Sequence, residues 1–444
     1  MARLDRIRYT PHSLDVSDQE ELRWRTSSHV VKADRETRAI DGVPVLYWES
    51  GEPWAEANLY FADKAELILS GQLKIGTLEA VATALLAYMK FLETDDELQW
   101  HKFPKAKADR PTTRFRGELI RARDKGEIAS STATARMAGV LRWYRWVKAQ
   151  GLLATDWPLW ADKLVGVRIT DAFGFERSLS VTSSELSIPN KKRNNVKLED
   201  GLLPVSLEER DQILDLAARH SSLEFSLMLR LGFLTGMRIG SICDLKLATL
   251  DNAHRLAETP LVHYLSIGPG VRAAPVRTKH DVTGRVIIPS DLLQDLRDYV
   301  RSERRLTREA QATKDHKGLV FLSRYGTPYG TKKAGKSPST NVDMLRLRRA
   351  ALAEGVNLAG FYFHRSRATF ATSIAEAALR MPDSSLRWSD IIALIRDLLL
   401  HKDEVTSMRY ITFVKEQKTK AYWANEFTRF FFGAKQERTG REDA

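Results

Sequence analysis

Cysteine is almost missing: among 444 residues only Cys243 carries a thiol. That excludes an intrachain disulfide and any zinc site built on several cysteines, and it fits a reducing cytoplasm. Long apolar runs are missing too. No window approaches the ~18 uninterrupted apolar residues of a membrane span, so no membrane helix is expected. The opening Met1-Ala2-Arg3-Leu4-Asp5-Arg6 has no apolar stretch behind it, so no signal peptide is expected. Acids fall short of bases, 57 against 69, leaving a formal net charge of +12. A surplus of that size favours a polyanionic partner, nucleic acid before membrane, over a merely basic soluble protein. What remains is ordinary for a globular chain, with 43% hydrophobic and 28% charged residues. The length suits two or three domains.

Residues 1–55 read as an N-terminal arm or small β element. Asp41-Gly42 lies between Thr37-Arg38-Ala39-Ile40 and Val43-Pro44-Val45-Leu46-Tyr47-Trp48, a hairpin signal weakened by Pro44. From Thr77, a candidate cap, the pattern turns helical: Val81, Leu85, Tyr88 and Leu92 share a face. A basic stretch follows, including Lys105, Lys107, Arg110, Arg114 and Arg116. Ser130 or Ser131 then opens a helix with Met137, Val140, Leu141, Tyr144 and Val147 on one face and Arg136 and Arg142 elsewhere. Residues 56–180 thus form a compact helical domain whose cations can neutralise phosphates, giving affinity without sequence information. The plainer reading is a solvated charged face.

Ile188 to Asn195, with Lys191, Lys192 and Arg193, is polar and aperiodic, and 181–203 reads as a linker. A second domain, 204–433, opens at Ser206-Leu207-Glu208-Glu209, which has capping-box spacing. Leu223 to Leu234 reads as a buried helix, with Gly236 just past its end. Two strands follow, Val262 to Ile267 and Gly284 to Pro289, and a shorter one at Leu319 to Leu322. The span from Tyr325 to Ser339 reads as a mobile basic loop. Helices are expected from His364 to Leu379 and up to His401, with an interruption at 381–389. Asp403 is placed to cap the next one. An aromatic-rich, helix-like segment closes the domain, and 434–444 is a polar tail.

The chemistry concentrates late. His364 and Arg367 stand one helical turn apart on a shared face, and His401 and Tyr410 follow. Upstream, Arg238 sits just past glycine in Leu234-Thr235-Gly236-Met237-Arg238-Ile239-Gly240. Each element alone is weak. Together, Arg238, His364-x-x-Arg367, His401 and Tyr410 resemble, in order, the catalytic set of the tyrosine recombinases, the phage-integrase family. Lys279, before the second strand, matches the family's hairpin lysine by position. There are departures: Ser241 stands three past the first arginine where the family usually has an acid, and Leu399-Leu400-His401 replaces the common Leu-Gly-His.

The resemblance implies a mainly α fold with a small antiparallel sheet in the catalytic domain, arranged as a two-domain DNA clamp. It implies a site-specific recombinase acting on double-stranded DNA through a 3′-phosphotyrosyl intermediate, without metal or other cofactor. Arg238 and Arg367 would grip the phosphate, Tyr410 attack, and Lys279 protonate the leaving 5′ oxygen. His364 would act as base or orient the phosphate, and His401 support it. Dimers at each site, a tetramer in synapsis, accessory proteins and a cytoplasmic, nucleoid-associated location follow from the same resemblance. The rivals are a DNA-binding relative that no longer cuts, a type IB topoisomerase-like enzyme, and an unrelated nucleic-acid binder. No clustered carboxylates surround the His-x-x-Arg box, which disfavours a metal-dependent nuclease.

Overall fold

The computed structural model describes residues 1–10, 12–15, 23–26, 39–170, 176–190, 198, 203–255, 259, 261–330, 337–380 and 388–432. Among the described residues the fold is mainly helical, with small antiparallel sheets. It divides into two units, Met1–Arg193 and Asn194–Ala444.

Unit 1 begins with β1 (Arg3–Tyr9), β2 (His12–Asp15), β3 (Arg23–Thr26) and β4 (Ile40–Tyr47), paired β1 with β4 and β2 with β3. Asp41-Gly42 is not a turn. It lies inside β4, where Ile7 pairs with Val43 but Arg8 with Asp41, so Gly42 is the extra residue of a β-bulge. Its φ of 80° is the left-handed setting such a bulge asks of glycine. Pro44 is tolerated because, among the described residues, β4 pairs with β1 alone and is an edge strand.

Four helices follow: α1 (Ala55–Leu69), α2 (Ile75–Leu92), α3 (Pro111–Asp124) and α4 (Ser130–Ala149). α2 starts at Ile75, before the expected Thr77 cap, with Lys74 at the N-cap and no side-chain cap bond. Its expected face, Val81, Leu85, Tyr88 and Leu92, is buried. By length and composition α2 also passes as a membrane-crossing helix, which the sequence reading had not expected. Packing of that face into the core of unit 1 accounts for its apolar content. The same core takes in Ala2, Ile40, Val43 and Leu46, with Leu4 and Tyr9 packed against it, so β1 and β4 belong to this unit's core. At its centre Trp54 meets Trp143 edge-on at 4.8 Å, and the hydroxyls of Tyr88 and Tyr144 lie 2.7 Å apart. Burial raises the pKa of both phenols, keeping them neutral. A hairpin, β5 (Asp162–Thr170) and β6 (Glu176–Ser184), completes the unit.

Unit 2 begins with α5 (Leu207–His220), α6 (Leu223–Thr235), α7 (Ile239–Cys243) and α8 (Leu247–Asp251). The Ser206–Glu209 capping box forms, each side chain bonding the other residue's backbone N–H. β7 (His254–Arg255), β8 (Val262–Ile267) and β9 (Gly284–Pro289) make a three-stranded antiparallel sheet, β8 in the middle. Then come α9 (Ser290–Arg301), α10 (Glu303–Gln311), α11 (Pro338–Ala353), α12 (His364–Arg380), α13 (Trp388–Leu399) and α14 (Glu404–Phe432). Asp403 caps α14, accepting from the Thr406 amide at 3.1 Å. The 381–387 part of the expected interruption and the 331–336 part of the basic loop lie outside the described residues.

Leu319–Leu322 forms only isolated bridges, to Lys246 and Pro328, rather than a strand. The reason is competition for its carbonyls. Arg305, wholly buried, donates to Lys317 O, Leu319 O and Val320 O, and Arg308 donates to Leu322 O. Guanidinium groups stand where a neighbouring strand would otherwise donate.

Candidate active site

The candidate catalytic residues all fall in unit 2. α6 ends at Gly236, whose φ of 66° is the left-handed C-cap setting. A side chain there would also collide, since a Cβ would sit 2.5 Å from Phe370 and 2.7 Å from Leu399. Two residues on, Arg238 is the extended N-cap of α7. The backbone therefore reverses between two packed helices and delivers Arg238 from a fixed corner.

Arg367 enters from α12, one turn after His364. It is buried, and its guanidinium donates to Gly236 O and Leu399 O, both at 2.7 Å. Those carbonyls satisfy part of a buried charge and lock its direction. Arg238 and Arg367 line one small pocket together with Ser241, Thr278, Leu399 and Leu400. His364, half-buried, opens α12. The intervening Arg365 faces a different task, donating to Leu203 O, Pro204 O and Gly360 O.

α13 ends in a Schellman turn. Leu400 N–H donates to Asp397 O at 3.2 Å and His401 N–H to Arg396 O at 2.9 Å. Leu400 has φ 52°, in the left-handed region, at the position where the sequence departs from Leu-Gly-His. For a non-glycine residue that costs about 1–2 kcal/mol. Burial of its side chain offsets this: Leu400 packs over Gly284, where a Cβ would stand 2.6 Å from Leu400 Cδ2. The turn aims the Leu399 carbonyl at Arg367 and brings His401 inward. His401 is buried, with Nδ1 2.8 Å from Ser407 Oγ, and its ring lies parallel to that of Tyr410 at 6.0 Å. Tyr410, 1% exposed, sits on α14 among Phe370, Ile395 and Leu399 of its own chain.

Lys279 is exposed on the connection between β8 and β9. His280 and Asp281, with φ of 65° and 57°, make the tight turn after it; both residue types tolerate that region better than most. Thr278 Oγ1 donates to Val282 O at 2.6 Å and closes the turn. Thr278 lines the arginine pocket, so the lysine is adjacent in sequence to a pocket residue.

The proposed DNA-contacting cations of unit 1 separate by environment. Arg110 is corrected: it is 4% exposed and donates to Pro104 O, Pro158 O, Leu159 O and Lys105 O, a structural knot rather than a surface contact. Its place at the N-cap of α3 turns it inward. Lys105 is exposed, with Nζ over the Trp157 ring. Lys107 pairs with Glu185 at 3.1 Å and Arg114 with Asp95 at 3.0 Å. Arg116 and Arg136 are half-buried. Arg142 is exposed beside Ser183, Ser184 and Ser187 in a groove between α4 and the end of β6. Lys191, Lys192 and Arg193 lie outside the described residues.

Sequence reasoning missed the contribution of Asp244. Its carboxylate holds the backbone of Arg277, across the sheet connection, and only tertiary proximity reveals that.

Residues 205–411 match the sequence model of the phage integrase family. That match takes in a little under half of the chain. Among solved structures, the XerH site-specific recombinase bound to difH substrate, a pre-cleavage complex, is similar at 15% identity. The match covers 83% of this chain and 84% of that one, with a TM-score of 0.46. A lambda integrase dimer bound to a COC′ core site matches at 15% identity over 86% and 98%, TM-score 0.43. The Tn1549 transposon integrase in complex with transposon right end DNA matches at 11% identity over 83% and 98%, TM-score 0.46. No curated protein sequence matches the chain.

Proposed function

We propose that this protein is a site-specific DNA recombinase, cutting and rejoining strands through a 3′-phosphotyrosyl intermediate to move a mobile element. The observation that carries the reading is the convergence of Arg238 and Arg367 on one pocket, with the His401–Tyr410 stack following directly from its Leu399–Leu400 wall. Two guanidinium groups hold the nonbridging phosphate oxygens and stabilise the charge that builds in the transition state. Tyr410 attacks phosphorus, and the phosphotyrosyl bond conserves the energy needed for rejoining. His364 takes the phenol proton or orients the phosphate, His401 supports it, and Lys279 protonates the departing 5′ oxygen. The chemistry runs without metal or other cofactor. Because Tyr410 is buried, its part of α14 shifts when the scissile phosphate docks.

Double-stranded DNA carrying a defined site is the partner. Two protomers occupy each site and four join in synapsis, with accessory proteins setting direction, in the cytoplasm on the nucleoid. Lys105, Lys107, Arg114, Arg116, Arg136 and Arg142, with Lys191, Lys192 and Arg193, supply phosphate contacts. The two surface ion pairs among them are weak enough to exchange for phosphate.

The test is covalent trapping. Wild type and Tyr410→Phe are incubated in EDTA with nicked DNA from the flanks of the gene. A denaturant-resistant protein–DNA band from wild type alone supports the reading. Equal bands from both remove Tyr410 as nucleophile. Tight binding with no band from any fragment favours the non-cutting relative. Relaxation of supercoiled DNA without a defined site favours the topoisomerase-like alternative.

A further inference from the structure

α7 is five residues long, yet it has two duties. Its N-cap is Arg238, and its other end grips the chain that leads to Lys279. Ser241 Oγ donates to Arg277 O at 2.8 Å. Asp244 Oδ2 accepts from the Arg277 backbone N–H at 2.8 Å and lies 3.4 Å from Arg277 Nε, while Oδ1 accepts from Lys246 Nζ at 2.9 Å. Both residues are under 9% exposed. A buried carboxylate with this many charge-assisted bonds is a rigid fixture.

The position of the grip gives it meaning. Arg277 lies two residues before Lys279, and the Thr278–Val282 bond closes the turn just after it. The connection from Ile267 to Gly284 spans 268–283 and is held to α7 and its C-cap through both the N–H and the C=O of Arg277. The tether fixes the chain two residues ahead of Lys279 to the helix whose N-cap is Arg238.

We propose that Asp244, assisted by Ser241, is a positioning residue for Lys279, fixing the general acid relative to the phosphate-gripping Arg238 through one short helix. The inference rests on the proposed strand-transfer reaction. In that reaction the Tyr410 oxygen bonds to phosphorus, its proton going to His364, and the P–O5′ bond breaks. The electron pair leaves on O5′, which takes a proton from the Lys279 ammonium, leaving a neutral amine. Displacing the lysine slows only the step that needs that proton, and a misplacement near 1 Å costs on the order of 100-fold.

Leaving-group chemistry separates this from general damage. Replacing the scissile 5′ oxygen by sulfur gives a bridging phosphorothiolate, whose thiolate departs without a proton. Asp244→Asn keeps the shape while removing the charge, and Ser241→Ala is the milder second variant. Single-turnover cleavage by Asp244→Asn is expected to fall about 10- to 100-fold on the ordinary nicked substrate. It should return to near the wild-type rate on the phosphorothiolate, with DNA affinity unchanged. Lys279→Ala should show the same rescue, and Arg367→Ala none. An equal deficit for Asp244→Asn on both substrates, or no deficit, overturns the assignment while Lys279→Ala still rescues. If Lys279→Ala is not rescued, the lysine is not the acid and the tether has no such role. Failure of wild type to cut either substrate overturns the proposed function itself, and the inference with it.

Discussion

The two units solve burial differently. Unit 1 has one continuous core, rich in aromatics: Trp54, Tyr88, Trp100, Trp143 and Tyr144 pack edge to face. Among its described residues the buried charged side chain is Arg110, bound to backbone carbonyls. Unit 2 spreads its core over several clusters and buries Glu224, Asp244, Arg305, Arg308, Asp343 and Arg367. Apolar packing is forgiving of small shifts, whereas a buried charge demands partners at set distances. The unit holding the candidate catalytic set is thus the one whose interior is fixed by charge. The polar interior gives direction to groups such as Arg367 and Asp244, at some cost in stability.

The largest effect should come from removing a keystone in each unit. Trp143→Ala should destabilise unit 1 by about 3–5 kcal/mol through the cavity it leaves. Glu224→Ala should cost unit 2 about 3–5 kcal/mol, because Arg304 and Arg308 lose the carboxylate they share. Hydrogen exchange read peptide by peptide assigns each loss to its unit. Loss of protection in both units from either change would erase the contrast.

The same glutamate sharpens it by pH. Burial by itself raises the Glu224 pKa, but Arg304, a backbone bond and Arg308 outweigh it and hold the group below its ordinary value. A carboxylate lowered in the fold gives stability that is full above its unfolded pKa and lost as pH falls through its folded one. Unit 2 of wild type should therefore weaken in acid, and Glu224→Gln should weaken less steeply over that range. An unchanged slope in pH-dependent melting removes Glu224 as its source.

Arg110 and Arg142 form a smaller test within unit 1. Arg110→Ala should destabilise by roughly 1–3 kcal/mol, from carbonyls left unpaired, without changing the salt dependence of DNA binding. Arg142→Ala should leave melting alone and lower the slope of log K against log salt by about one. Equal slopes for the two variants would discard the division between structural and contacting cations. Leu400→Gly should lose about 2–5 kcal/mol of buried side chain and regain about 1–2 from relaxed backbone, a modest net loss visible by thermal melting. Smallest of all, Cys243 should resist alkylation at neutral pH, since burial pushes its thiol up to about 11.

Much of this was legible from local chemistry. The face of α2, the Ser206–Glu209 box, Gly236 after α6, the Asp403 cap and the β8–β9 pair all depend on neighbours within a few residues, where spacing speaks directly. The errors came where distant groups decide. Asp41-Gly42 carries a turn's residues, but pairing with β1 makes it a bulge. Leu319–Leu322 has a strand's residues, but arginines from α10 take its carbonyls. Arg110 reads as one cation in a basic run until the backbone of 158–159 comes to meet it.

The sequence by itself determined which residues could do phosphoryl chemistry, because guanidinium, imidazole and phenol are fixed by residue type and their order by the chain. Tertiary structure alone decided which carbonyls lock Arg367, that Leu400 takes a left-handed turn made affordable by Gly284, and that Asp244 reaches Arg277. Those contacts join residues 32 to 131 positions apart, and their distances are set by the packing of whole helices rather than by any local pattern.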